Sequence, residues 1–161
     1  MSFSNRTILL AVDQSKAALR AFNWYVENLH KREDTLILAH IHRMPDLPNK
    51  IMLTEMPSVG LLENYKIKTI SSYEQSKELL TSYENLCKEH QITSKVILAE
   101  NQDSPGHKIC ELVKANEVDI LITGQRGLSK FDRIFLGSTS DYIIHHAQIP
   151  VIVVPPESKN H

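Results

Sequence analysis

Glycine occurs only five times in 161 residues and cysteine only twice. No run of 18 apolar residues is present and no stretch has the form of a secretory signal, so the sequence gives no reason to expect a membrane span or an exported chain. Neither sign of charge prevails. Eighteen basic and nineteen acidic residues leave a formal net charge of −1, with no overall field to draw in nucleic acid or an anionic membrane. A cytoplasmic, reducing compartment is expected. Cys87 and Cys110 then read as small buried hydrophobes, because no second cysteine stands at chelating distance from either. Two nucleotide-binding devices are also missing. The turn after the first apolar run is "AVDQSKA", without the glycines of a G-x-G-x-x-G fingerprint, and no G-x-x-x-x-G-K-[ST] occurs anywhere. A phosphoacceptor receiver domain fits poorly too. It would need paired acids after the first strand, where this chain offers Asp13 alone, and a further aspartate after the third, where it has Glu100 and Asp103.

What is present is an alternation of two periods. "RTILLAVD" (Arg6 to Asp13) and "TLILAHIH" (Thr35 to His42) are near-continuous apolar runs of strand length, and "SKVILAE", "VDILITG" and "PVIVVPP" complete a set of five. Between them lie segments with helical spacing. Ala18, Phe22, Val26 and Leu29 share one face after the N-cap Ser15. Ile70, Tyr73, Ser76, Leu80, Tyr83 and Cys87 mark a long helix within Leu61 to His90, and Tyr73, Leu80 and Tyr83 read as core packing. Ser104 and Pro105 open a third helix that buries Ile109, Leu112 and Val113. The proline-punctuated stretch from Met44 to Gly60 reads as a surface excursion. Strands apolar on both faces, joined by helices, imply one α/β domain over residues 1–161 with a parallel sheet covered on both sides. Its ligand crevice should lie at the carboxyl ends of the strands, where the winding reverses. Val12 and Asp13, Ile41 and His42, and Gly124 fall there.

Three of the five glycines gather at Gly124, Gly127 and Gly137, followed by Ser138, Thr139 and Ser140. Glycines at the first two positions can take positive φ and leave no Cβ between backbone amides and phosphate oxygens. The helix beginning near Gly137 and Ser138 adds unpaired N–H groups, the positive end of its dipole and two hydroxyls. Arg126, Lys130 and Arg133, offset by Asp132, add local positive charge. The combination reads as an anion cradle suited to a triphosphate, which magnesium would accompany while keeping most of its waters.

The spacing G-x2-G-x9-G-[ST] resembles the ATP-binding signature of the universal stress protein family. "GQRGLSKFDRIFLGSTSDYIIHHAQIPVIVVP" is similar to that family's C-terminal block, and "ILLAVDQSKAALRA" to its opening strand and helix. The resemblance implies an open five-stranded parallel sheet in the order 3-2-1-4-5 with helices on both faces. It also implies ATP contacts from Val12, Asp13 and Ile41 at the nucleoside, and from Gly124, Gly127, Gly137, Ser138 and Thr139 at the phosphates. A homodimer through the last strand, Val151 to Val154, is part of the same expectation, and an apolar edge strand needs such cover. Gln125 stands where family members commonly carry serine, a change that leaves the glycines intact.

Simpler roles compete at single positions. Asp13 can cap the turn or the helix that follows, and Ser138 can serve as an N-cap. His40 and His42, and the pair His145 and His146, lack a third metal ligand of evident spacing and read as structural or surface residues. The functional expectation is a dimeric, nucleotide-dependent regulatory module of the stress response. A slow ATPase or autophosphorylating enzyme on the same site is the alternative, with Asp13, Gln125 and Ser138 as its only candidates and no recognisable catalytic motif.

Overall fold

The computed structural model describes residues 5–52, 56–100, 104–125 and 136–157. Five strands, β1 (Thr7–Ala11), β2 (Thr35–His42), β3 (Ser94–Glu100), β4 (Ile120–Gly124) and β5 (Val151–Val154), form one parallel sheet in the order β3-β2-β1-β4-β5. The helices are α1 (Lys16–Asn28), α2 (Asn49–Met52), α3 (Val59–Glu89), α4 (Pro105–Ala115) and α5 (Ser138–His146). The expected α/β domain, with this strand order and with helices on both faces, is what the chain forms.

The two faces follow from strand alternation. Ile8, Leu10, Val12, Leu36 and Leu38 point to one side, where Phe22 and Tyr25 of α1 and Leu80, Tyr83 and Cys87 of α3 cover them. Leu9, Ile37, Ala39 and Leu121 point to the other, under Ile109 and Val113 of α4 and Ile143 of α5. The thiols of Cys87 and Cys110 lie one in each layer, and burial pushes both above the ordinary thiol range.

Local signals explain most boundaries. The Ser15 hydroxyl accepts from the Ala18 amide at 3.2 Å, and the Ser104 hydroxyl from that of His107 at 3.2 Å, with Pro105 in the first helical turn. At the amino edge of the sheet Arg6 donates twice to the buried Asp34, at 2.8 and 2.6 Å, and once to the Leu29 carbonyl. Burial alone would raise the Asp34 pKa. The bonds from Arg6 and the Lys31 amide outweigh it and hold the carboxyl below its ordinary range.

Two expectations change. The 31-residue α3 is about 46 Å long at 1.5 Å per residue, nearly twice the reach of β2 and β3. Its buried residues are Ser76, Leu80, Tyr83 and Cys87 alone, so the apolar stripe leaves the core at Tyr73, whose ring still meets that of His42 edge-on, and Ile70 lies outside the core. Ile70 is 54% exposed and Tyr73 36%. Edge strand β3 is likewise not apolar on both faces: Lys95 and Val96 are exposed, and a lysine there discourages edge-to-edge pairing. Within the Met44 to Gly60 excursion the chain forms α2 and already starts α3, and the Tyr65 hydroxyl donates to the Pro45 carbonyl at 3.1 Å.

Candidate functional site

The winding of the sheet reverses between β1 and β4, since β2 and β3 lie to one side of β1 and β4 and β5 to the other. The carboxyl ends of these central strands therefore bound the crevice in which doubly wound folds bind ligands. Ala11 is in register with Ala39, and the Val12 amide donates to the Ala39 carbonyl at 2.9 Å, which sets Asp13 just beyond the end of β1 and beside the last residues of β2, where Ile41 lies. Gly124 ends β4. Val12, Asp13, Ile41 and Gly124 thus share one edge of the sheet.

Helix α5 supplies the other wall. It leads through Pro150 into the start of β5, where the Leu121 amide donates to the Pro150 carbonyl, so its C-terminus lies at the amino edge of the sheet. Its N-terminus consequently points toward the carboxyl edge, with Ser138 and Thr139 in the first turn. The N-cap is Gly137, not Ser138. Gly137 has φ +80° and ψ 146°, a conformation reserved almost wholly for glycine, and no side chain caps the helix. Nothing lies within 4 Å of the place a Cβ would occupy there. The first amides of α5 have no intrahelical acceptors, and the helix dipole favours negative charge in front of them. Gly127, Arg126, Lys130 and Arg133 lie outside the described residues.

Gly124 has a packing reason beside the one the sequence suggests. Gly137 is the one positive-φ glycine among the described residues. A Cβ on Gly124 would instead stand 2.5 Å from the Ala17 carbonyl carbon and 3.1 Å from the Ala18 amide nitrogen, with the Ala17 oxygen nearer still. The glycine lets the first turn of α1 press onto the end of β4. Arg20, one turn further along α1, then donates through its guanidinium to the Gln125 and Pro155 carbonyls, both at 2.7 Å, while the Gln125 amide donates to the Val154 carbonyl at 2.8 Å. Sequence reasoning missed Arg20. A cation among the polar residues of an amphipathic helix, with two chain exits to hold, leaves no periodic signal of its own.

Asp13 is engaged locally: one carboxylate oxygen accepts from the Ser15 amide at 2.8 Å. This turn fixes the path from β1 into α1 and matches the capping role. Its charge, together with burial as the larger cause, pushes Tyr83 on α3 up to about 12. Ile41 packs against the layer under α4 and is only half-buried.

Beside the crevice lies a polar chain whose members the sequence offered only singly. His40 Nδ1 stands 2.8 Å from the Val12 carbonyl, which can only accept, so that nitrogen carries the proton. Ser76 Oγ lies 3.2 Å from His40 Nε2 and 2.9 Å from His42 Nδ1, and its hydroxyl also reaches the Ser72 carbonyl at 3.2 Å. His42 is 2% exposed and its Nε2 is left without a partner. The two histidines hold α3 to the end of β1. His145 and His146 donate from Nδ1 to the carbonyls four residues back, as surface helix residues do. Among the described residues no group of three or more His, Cys, Asp or Glu is placed to hold a metal ion. No helix is long and apolar enough to cross a membrane among them.

The chain is 27% identical over 155 residues to a Schizosaccharomyces pombe protein, an alignment that takes in 96% of this chain but only 24% of that one. A universal stress protein A-like protein of Arabidopsis thaliana is 24% identical over 139 residues, 84% of this chain and 76% of its own. Among solved structures, an Arabidopsis thaliana universal stress protein family member with AMP bound superposes with a TM-score of 0.67 at 21% identity, covering 95% of this chain and 93% of that one. A match of residues 4–155 to the model of the universal stress protein family completes the comparison, and the chain belongs to that family.

Proposed function

We propose that the chain binds ATP, accompanied by magnesium, in the crevice between the carboxyl ends of β1 and β4 and the N-terminus of α5. It then acts in the cytoplasm as a dimeric module whose partner choice depends on nucleotide occupancy. The observation that carries this reading is Gly137: a residue at φ +80° with open space before it, starting an uncapped helix that points at the switch point of the sheet. An anion placed there meets backbone amides and the helix dipole together. Gly124, Gly127, Gly137, Ser138 and Thr139 take the phosphates in this reading. Val12, Asp13 and Ile41 border the nucleoside, and a relative with bound AMP supports the choice of ligand class.

The dimer in this reading pairs β5 with its twin. β5 is the last strand of the order β3-β2-β1-β4-β5, so it has one unpaired edge, and Val151, Ile152 and Val153 are only half-buried. Deleting residues 151–156 should leave monomeric or insoluble protein, and a stable dimer without them redirects the interface.

Calorimetric titration of nucleotide-stripped protein with magnesium-ATP, followed by chromatography of the incubated mixture, tests the module. Binding near one nucleotide per chain without ADP supports it. Steady ADP formation makes the chain an ATPase, and absence of binding refutes the cradle.

A further inference from the structure

The amino-terminal half of α3, left beyond the sheet, is not an ordinary solvated helix. Val59, Leu62, Ile67, Ile70 and Tyr73 are 78%, 46%, 61%, 54% and 36% exposed. At 100° per residue these positions fall on one face about 140° wide. Glu63, Lys66, Glu74 and Lys77 fall on the same arc between these apolar side chains, which makes it a mixed apolar and charged strip of the kind found at contact surfaces.

The charges along the stripe say what covers it. Glu63 and Lys77 each lie seven residues from Ile70, on opposite sides, and Lys66 and Glu74 each lie four. All four are exposed. We propose that this face is a homotypic interface, on which a second copy of the chain docks its own α3 antiparallel about a two-fold axis at Ile70.

In that register Ile70 meets Ile70, and Glu63 of each copy stands level with Lys77 of the other. Lys66 stands level with Glu74. Neighbouring registers lose this match: an axis at Lys66 sets that lysine against itself, and one at Ile67 sets Lys66 against Lys68. A parallel pair would place every charge against its own kind. Self-complementarity of this sort is what an isologous contact requires. Glu74 and Lys77 are 3.1 Å apart within the helix, and the Lys77 ammonium lies 4.9 Å from the Tyr73 ring centre, so both already sit along the apolar row.

The contact is separate from β5. Helix α3 packs on β2 and β3, at the opposite side of the sheet order. Two independent two-fold contacts on one chain build assemblies larger than a dimer, either closed tetramers or open strings.

The test uses the full-length chain. An Ile70→Cys variant, with Cys87 and Cys110 buried, should form a disulfide-linked dimer on mild oxidation, while Ser71→Cys, exposed but turned about 100° away, should not. Glu63→Lys and Lys77→Glu should each weaken self-association by about tenfold in sedimentation equilibrium, and the double variant should recover it. Residues 63 and 77 lie about 21 Å apart on one helix, so recovery can arise only between chains. Equal cross-linking of the two cysteine variants, or no recovery in the double variant, overturns the proposal. ATP binding enters neither readout, and the cysteine cross-link does not depend on the β5 edge.

Discussion

Replacing Gly124 with alanine tests whether that glycine serves the fold or a ligand. The new Cβ would stand 2.5 Å from the Ala17 carbonyl carbon, where ordinary contact begins at 3.4 Å, so at least about 0.9 Å must be found. Both groups are backbone, and the first turn of α1 cannot yield by a rotamer change. Moving it also draws Arg20 away from the Gln125 and Pro155 carbonyls. Overpacking of a rigid site costs typically 1–3 kcal/mol, and a backbone obstacle belongs at the top of that range, about 3 kcal/mol. For a chain of this length that lowers Tm by about 9 °C. Thermal melting read by far-UV circular dichroism measures it, with nucleotide titration well below the melt as a second readout. A Gly124→Ala protein that melts within about 2 °C of the wild type refutes the packing argument. Loss of ATP binding in that stable variant would assign the glycine to the ligand instead.

Gly137→Ala meets open space but a forbidden φ, so it should cost about 2 kcal/mol in urea denaturation and weaken ATP more than Gly124→Ala does at equal folded fraction. Ser76→Ala strips His40 Nε2 and His42 Nδ1 of their shared partner, and a loss of about 2 kcal/mol is expected by the same method. Asp34→Asn should cost about 2 kcal/mol at neutral pH, because the partly exposed Arg6 loses the buried charge it pairs with. The folded-state pKa of Asp34 is depressed, so its contribution is present above the unfolded value and lost as pH falls through the folded one. Urea midpoints taken from pH 7 downward should therefore converge for wild type and Asp34→Asn in acid, and parallel curves would contradict the pairing. Asp13→Ala should weaken ATP and AMP by similar factors, since Asp13 borders the nucleoside in the proposed site. Strongly unequal losses in titration calorimetry would remove it from that end.

Strand runs, caps at Ser15 and Ser104 and the helical spacing of α1 and α4 were legible because each follows from one local rule. Less local facts were not. The stripe through Ile70 and Tyr73 has the right period for burial, yet periodicity records which face is apolar and not how far the sheet extends beneath it. The glycine at 124 shows a need for a missing side chain without showing whether helix or ligand imposes it, and only the position of Ala17 separates these. Ser138 has the chemistry of an N-cap, but Gly137 holds that place because the chain enters α5 at a dihedral no serine adopts cheaply. His40 and His42 share a strand face by alternation. Their partner Ser76 lies 34 residues beyond the nearer of them, and no short-range pattern connects the three.

The guanidinium of Arg20 has a consequence beyond packing. It grips the residue that opens the glycine loop and the residue that closes the last strand, while the amide of that first residue is itself bonded to β5. Departure from β4 and departure from β5 are therefore one mechanical joint, with α1 as its lever arm. A displacement of Gln125 or of Pro155 would strain bonds to the same guanidinium, so the ends of β4 and β5 are held by one side chain.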